Sequence, residues 1–375
     1  MSFFEVQATC PETGARAGVI HTPHGDVETP VFMPVGTQAT VKGLTPEQLS
    51  DDLDAKIILS NTYHLFLRPG HELIRNFGGL HEFMRWPRAI LTDSGGYQVF
   101  SLSKIRKITE EGVIFQSHLN GDKHLFTPES TVDTQMALGS DIMMVLDECL
   151  EYPAPPEVKA RRSMSRTIRW AEQAFTQYRK FDTKQALFPI VQGSMYPDLR
   201  RECAERLLAL DAPGYAIGGL SVGEPRAESL AMTEITAPLL PVEKPRYVMG
   251  VGKPEELIEY VARGIDMMDC VMPSRNARNG CLFTSQGRVI IKHARYRDDR
   301  GPLDPACNCT TCKTFTRAYL RHLFLAGEIL FAVLATLHNI RHYLDIMRQI
   351  RQSILFGAFP QLLQSARLAQ VVETE

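Results

Sequence analysis

Asp141-Ile-Met-Met-Val-Leu-Asp147 is an unbroken apolar run fenced by two carboxylates, and it decides the fold. A strand with one wet face alternates polar and apolar residues. A run without alternation suits a strand covered on both faces, the habit of parallel sheets. The same texture recurs at Lys56-Ile-Ile-Leu-Ser-Asn61, Ala89-Ile-Leu-Thr-Asp93 and Leu187-Phe-Pro-Ile-Val-Gln192. It continues at Tyr215-Ala-Ile-Gly-Gly219, Arg246-Tyr-Val-Met-Gly250 and Met267-Met-Asp-Cys-Val-Met272. Helical patterns lie between several of these runs, at 156–175, at 197–210 and from Pro254 onward. The last opens Pro-Glu-Glu, with proline and acids where a first helical turn favours them.

Alternating strand and helix predict an α/β chain, either a (β/α)8 TIM barrel or a doubly wound sheet. The barrel is preferred because Asn61, Asp93, Asp147, Gln192, Gly219 and Asp269 all fall at carboxyl ends of runs. A barrel gathers such ends at one mouth, whereas an open sheet strings them along an edge. No Gly-x-Gly-x-x-Gly opens a helix, and Val251-Gly-Lys-Pro is not a phosphate loop. The first ~45 residues read as antiparallel, with Gly25-Asp26 as a turn. Past residue 280 the texture changes to a hairpin over Gln286-Gly287, a cysteine cluster and helix over about 318–355. The expected division is a catalytic barrel with N-terminal antiparallel strands over 1–280, and a zinc-binding helical subdomain packed on it over 281–375. The last ten or so residues are expected to fray.

The chain has 375 residues, 44% of them hydrophobic, and a net charge of −2. No apolar run approaches the ~18 residues that span a bilayer, so no membrane association is expected. Nothing at the start resembles a signal peptide, and the scattered cysteines suit a reducing compartment, which points to the cytoplasm. Charge is uneven. Residues 271–300 carry seven Arg and Lys against two acids, a +5 window in a chain whose remainder is −7. Such a local basic face fits an anionic macromolecule bound at one place.

Cys307-x-Cys309-x2-Cys312, joined by His338, supplies three thiolates and an imidazole for one tetrahedral Zn2+. A full sulfur-rich shell leaves no position for water, so the zinc is expected to be structural. His322 and His342 compete for the fourth place. His338 is preferred because Thr336-Leu-His-Asn falls opposite the cluster if the intervening helix folds back.

Thr92-Asp93-Ser94-Gly95-Gly96-Tyr97-Gln98 offers an acid/base carboxylate, glycines that let backbone approach a ligand, and a flat ring for stacking. Asp147, in Asp147-Glu148-Cys149, is an acceptor for a ring N–H and an exocyclic amine. Gln192 donates to a carbonyl, and the stretch Ala216-Ile-Gly-Gly-Leu-Ser-Val-Gly223 exposes backbone N–H groups. Together these complement the edge of guanine. The segment from Gly264 to Gly280 adds two carboxylates, Asp266 and Asp269, then Pro273 and a polar loop with Arg275 and Arg278. Two aspartates on separate strands suit a double displacement at a sugar carbon, one attacking the anomeric centre and one managing the leaving-group proton.

From about residue 28 to about residue 351 the chain resembles the tRNA-guanine transglycosylases of bacterial type, the queuine tRNA-ribosyltransferases. The motifs are Met-Pro-Val-Gly at 33–36, Thr-Asp-Ser-Gly-Gly-Tyr-Gln at 92–98, Asp-Glu-Cys at 147–149 and Val-Gln-Gly at 191–193. Gly-Gly-Leu-Ser-Val-Gly-Glu at 218–224, Met-Gly-Val-Gly-Lys-Pro at 249–254, Asp-Cys-Val-Met-Pro-Ser-Arg at 269–275 and the cysteine cluster complete them. The resemblance implies a barrel with a zinc-binding insertion. It also implies exchange of the wobble guanine of tRNAs with G-U-N anticodons for 7-aminomethyl-7-deazaguanine, in queuosine biosynthesis. Asp269 then corresponds to the nucleophile and Asp93 to the acid/base. Asp147, Gln192 and Gly219 correspond to readers of the purine edge, with Ser94, Gly95 and Gly96 beside them. Tyr97 and Met249 correspond to the pair that sandwiches the base, and the Leu220 carbonyl is expected to meet the 7-aminomethyl group. Gly250, Val251, Gly252, Lys253, Pro254, Glu255 and Glu256 match one RNA-holding segment. Ser274, Arg275, Asn276, Ala277 and Arg278 match another, with Ser274 where threonine is common. Cys149 and Val222 fit the bacterial pattern, and a homodimer through the zinc subdomain is implied. A zinc-dependent barrel hydrolase would instead need His-rich strand ends and an open metal position. A non-catalytic RNA-binding module would not need Asp93 and Asp269 on separate strands.

Overall fold

The computed structural model describes residues 2–102 and 106–372. Eight parallel strands form its centre. They are β1 (Val31–Pro34), β2 (Ile57–Asn61), β3 (Ala89–Asp93), β4 (Ile142–Met144), β5 (Ala186–Phe188 and Ile190–Val191), β6 (Tyr215–Ile217), β7 (Arg246–Val248) and β8 (Met267–Cys270). Each pairs with the next, and β8 returns to β1 with Met267 opposite Val31 and Cys270 opposite Pro34. A bridge between Val35 and Leu59 joins β1 to β2. The sheet is therefore a closed (β/α)8 barrel, and its strands are buried on both faces, as their unbroken apolar runs require.

The ring of helices includes Pro128–Leu138, Glu157–Tyr178, Pro197–Leu208, Arg226–Thr236 and Pro254–Ala262, each between consecutive barrel strands. The 27-residue helix Ile329–Leu355 packs on β1 and on the short helix Met272–Arg278. An antiparallel insert of Arg106–Ile108, Val113–Gln116 and Lys123–Phe126 lies between β3 and β4. No described helix is long and apolar enough to cross a membrane.

Several expectations need correction. Only Phe4–Thr9, Arg16–Thr22 and Gly25–Thr29 form the N-terminal antiparallel sheet. Val31–Pro34, inside the segment read as antiparallel, is the eighth barrel strand; only Pro30 separates it from Gly25–Thr29, so it reads as a continuation of the antiparallel sheet. Thr22 pairs with Gly25, so the turn is Pro23-His24 rather than Gly25-Asp26. Pro189 splits β5, because proline donates no ladder hydrogen bond, and there the strand changes neighbour from β4 to β6. The polar loop after Pro273 is the helix Met272–Arg278, which tolerates proline in its first turn. Thr284 pairs with Gly287, so the second hairpin turns at Ser285-Gln286. The helix expected over 318–355 is two, Arg317–Ala326 and Ile329–Leu355, separated where Gly327 takes φ +71°. The tail expected to fray continues as helix Phe359–Val372, with 373–375 outside the described residues.

Candidate active site

The carboxyl ends of the barrel strands surround a cavity of about 430 Å³, lined among others by Asp93, Tyr97, Asp147, Gly219, Met249 and Asp269. Ser94, Gly95, Gly96, Leu220, Gly250 and Arg275 also border it. Asp93 ends β3 opposite Asn61 of β2. Its carboxylate accepts from the Asn61 side chain at 2.5 Å, the Thr62 N–H at 2.9 Å and the Gly95 N–H at 3.2 Å. Burial pushes its pKa up to about 6. The Asn61 and Thr62 hydrogen bonds oppose that rise, and the Asp269 charge adds to it.

Asp269 stands in β8. One oxygen, Oδ1, accepts from the Tyr247 hydroxyl at 2.5 Å and from the Gly250 N–H at 2.9 Å. Both donors sit on or just after β7, so the neighbouring strand fixes the carboxylate's rotamer. Oδ2 has no hydrogen bond among the described residues. Burial raises the pKa, and the two donors hold it down. Tyr247 keeps its proton, because burial and the Asp269 charge raise it well above the phenol range. The result is a desolvated carboxylate with one anchored and one available oxygen, suited to attack on carbon.

Asp147 lies just beyond β4 and Gln192 just beyond β5. Gln192 Nε2 donates to Asp147 Oδ2 at 2.7 Å, so the two expected readers are bonded to each other before any base arrives. Burial raises Asp147 to about 6 against that hydrogen bond. Gly218 and Gly219 press on the Gln192 amide; a Cβ at Gly219 would lie 2.4 Å from Gln192 Oε1. Beyond them, Ser221 and Val222 donate backbone N–H groups to the Glu224 carboxylate at 2.6 and 2.9 Å. A trans peptide whose N–H is tied to Glu224 turns its carbonyl, that of Leu220, the opposite way.

Sequence reasoning missed four neighbours of these groups. Tyr247 and Arg200 sat inside apolar or helical patterns that explained them already. Glu224 was present only as the end of a motif. His64 lines the cavity with its Nδ1 buried and without a hydrogen-bond partner among the described residues. Asp266 is the reverse case. It precedes β8, at the far end from Asp269, and forms a buried pair with Arg16 at 2.6 Å.

A family model for queuine tRNA-ribosyltransferase matches residues 10–370. The chain belongs to the queuine tRNA-ribosyltransferase family. It is 71% identical to the queuine tRNA-ribosyltransferase of Solibacter usitatus over 96% of both chains. It is 56% identical to that of Koribacter versatilis over 95% of both, and 58% identical to that of a Thermoanaerobacter species over 91% of this chain and 90% of the relative. Membership makes it a tRNA-guanine transglycosylase, a pentosyltransferase of queuosine biosynthesis.

The cysteine cluster also comes together. Cys307, Cys309, Cys312 and His338 place their ligand atoms within 4.8 Å of one another, a group that can hold a metal ion. His338, not His322 or His342, is the imidazole in this group. Its Nδ1 lies 3.2 Å from Cys312 Sγ, and its Nε2 donates to the Phe283 carbonyl at 2.7 Å. That hydrogen bond fixes the tautomer with Nδ1 free to ligate.

The two segments expected to hold RNA flank the mouth. Gly250, Lys253, Glu255 and Arg275 are exposed, and Pro254, Glu256, Asn276 and Arg278 are partly so. Val251, Gly252, Ser274 and Ala277 are buried, so they shape these segments instead of facing solvent. The Arg278 guanidinium turns back to the Ser274 carbonyl at 2.7 Å.

Proposed function

We propose that this chain exchanges the wobble guanine of tRNAs with G-U-N anticodons for 7-aminomethyl-7-deazaguanine, by double displacement without cutting the RNA chain. The observation that carries this reading is Asp269, with one oxygen anchored and the other unbonded, lining one cavity with Asp93, both carboxylates buried. Asp269 Oδ2 attacks the ribose C1′ as the bond from C1′ to the purine nitrogen breaks, and the electron pair leaves with the base. Asp93, held near pKa 6, passes a proton to the departing purine and takes one from the incoming base. The incoming base attacks C1′ and releases Asp269. Asp147 accepts from the ring N–H and the 2-amino group, while Gln192 and the Gly219 N–H donate to the 6-oxo group. For this Gln192 shares or leaves its present bond to Asp147. Tyr97 and Met249 cover the faces of the base. The Leu220 carbonyl, turned by Glu224, accepts from the 7-aminomethyl group.

Arg275 and the exposed part of the 250–256 segment hold the RNA, and Ser94, Gly95 and Gly96 shape the pocket floor. The metal is one structural Zn2+, supported by three sulfurs and a buried imidazole with its tautomer fixed. Chelation is expected to lower thermal stability while leaving the chemistry of the remaining folded protein intact, checked by melting curves beside turnover per folded molecule. A homodimer is supported by apolar side chains left exposed on the metal-bearing part: Leu325, Ile329 and Leu330 at 56, 82 and 41%. Residues 1–280 and 281–375 form the two parts, and the enzyme works in the cytoplasm. The direct test is incubation with such a tRNA and labelled guanine or adenine. Guanine label is expected in the RNA and adenine label is not; entry of neither, or of both, overturns the reading.

A further inference from the structure

Arg200, in the helix Pro197–Leu208, is fully buried. A buried guanidinium normally faces a carboxylate. Among the described residues, none bonds this one. Its Nε donates to the Ser194 carbonyl at 2.8 Å, both terminal nitrogens donate to the Gly218 carbonyl at 3.1 Å, and Nη2 also reaches the Gly219 carbonyl at 3.4 Å. Packing alone would not select so costly an arrangement, because a methionine fills the same space without desolvating a charge.

The consequence lies on the other side of the peptide. In a trans peptide the carbonyl and the next N–H point in opposite directions. Drawing the Gly218 carbonyl down onto Arg200 therefore turns the Gly219 N–H up toward the cavity that Gly218 and Gly219 line. The N–H there faces the sulfur of Cys149, another cavity residue and a weak acceptor that a ligand oxygen readily replaces. The neighbourhood is built to this fit. A Cβ at Gly193 would lie 2.8 Å from the Arg200 backbone nitrogen, and one at Gly219 would strike Gln192. The same helix steadies Gln192 as well, whose N–H donates to Cys203 Sγ at 3.3 Å.

We propose that Arg200 is a positioning residue for base recognition: it holds the peptide between Gly218 and Gly219 so that the Gly219 N–H is aimed at the 6-oxo oxygen of the purine. A carbonyl that accepts from a cation also polarises its own peptide, which makes the N–H at the far end a stronger donor. The effect grows as the glycosidic bond breaks, because part of the departing purine's negative charge gathers on that oxygen. The proposal rests on the purine-pocket reading above.

The test compares the full-length zinc-loaded enzyme with Arg200→Met and Arg200→Lys. Inhibition constants are measured for guanine and for 2-aminopurine, which has no 6-oxo group, in the labelled-guanine exchange assay. Melting temperature and zinc content serve as folding controls. For Arg200→Met the guanine constant is expected to rise about tenfold while that of 2-aminopurine moves little, and kcat for exchange is expected to fall. If the Met variant does not fold, Arg200→Lys decides. It keeps the charge but cannot span Ser194 and Gly218 together, and about threefold loss confined to guanine is expected. A folded variant that weakens both ligands equally, or neither, overturns the proposal. If the unaltered enzyme itself fails to prefer guanine over 2-aminopurine, the purine-pocket reading falls instead.

Discussion

Two strands of the barrel carry an aspartate at each end, and the two ends treat them differently. At the amino end of β8, Asp266 meets Arg16 through both carboxylate oxygens, at 2.9 and 2.6 Å, and accepts the Arg246 N–H at 2.7 Å. At the carboxyl end, Asp269 has neutral donors on a single oxygen. At the amino end of β4, Asp141 is held by His24 at 2.8 Å, His81 at 3.2 Å and the Ile90 N–H at 2.8 Å. Beyond its carboxyl end, Asp147 has Gln192. Burial raises Asp141, but its two histidines and the Ile90 N–H outweigh burial and bring it below the usual carboxylate range. Asp147 stays raised. All four are buried or nearly so. Burial raises Asp266 even against its Arg16 partner, so what separates the four is the partner itself: a basic side chain at Asp266 and Asp141, only neutral donors at Asp269 and Asp147, which face the cavity.

The sharpest break in this comparison is Asp269→Asn. An amide is a poor nucleophile, so turnover is expected to fall by ~10³-fold or more, with the melting temperature little changed. Rapid exchange by this variant, measured with labelled guanine, removes Asp269 from the chemistry. Asp266→Asn is expected to do the opposite. It strands the Arg16 guanidinium and costs about 3–5 kcal/mol of stability, read by denaturant unfolding, while each folded molecule keeps its turnover. A severe turnover defect with normal stability reverses the assignment of the two ends.

The pH dependence separates the ends further. Asp93 holds its proton to about pH 6 in the folded chain, against an ordinary carboxyl value of 3.8. Between those values the native state binds more protons than the unfolded state, so this group makes stability fall as pH rises. Asp93→Asn is therefore expected to match the parent below about pH 4 and to exceed it above about pH 6, by on the order of 2 kcal/mol. Asp141, with its lowered pKa, contributes stability present at neutral pH and lost in acid. Asp141→Asn should accordingly lose stability near pH 7 and converge with the parent at low pH. Parallel curves for the two variants would dissolve the distinction between the ends. The smallest effect concerns the mouth itself. Arg275→Ala is expected to weaken tRNA binding and reduce the slope of affinity against salt by about one contact. Arg278→Ala should do less, since its guanidinium is already turned to Ser274.

Much of this was legible in the sequence, for definite reasons. Seven barrel strands announced themselves because burial on both faces writes long apolar runs. The eighth, β1, also lies in an apolar run, Val31-Phe-Met-Pro-Val35, but only Pro30 separates it from the antiparallel strand Gly25–Thr29, so it reads as a continuation of that sheet. The acidic and amide residues at strand ends were legible because such groups are out of place at the close of an apolar run. Their sorting was not. Asp266 and Asp269 are alike in sequence, and only the strand's direction through the barrel sends one to Arg16 and the other to the cavity. Arg200 was hidden by its helix, where an arginine in an amphipathic pattern reads as solvated. The Gln192 bond to Asp147 joins residues 45 apart, a pairing that no local pattern encodes.

The long helix Ile329–Leu355 has a consequence for the order in which the molecule is made. It carries His338, binds the Pro273 carbonyl through Asn339 and the Gly252 carbonyl through Tyr343, and reaches back to the Gly18 and Thr29 carbonyls through Arg351. Pro273 and Thr29 border the seam where β8 meets β1, and the helix packs on β1 itself. A growing chain has β1 early but gains its partner β8 only at residues 267–270, and the helix that covers the seam emerges later still. Until then the edge of β1 is an open template for the wrong neighbour. The ribosome therefore releases most of this barrel before it can close. Ring closure is a late, long-range event of the kind that loop entropy makes slow.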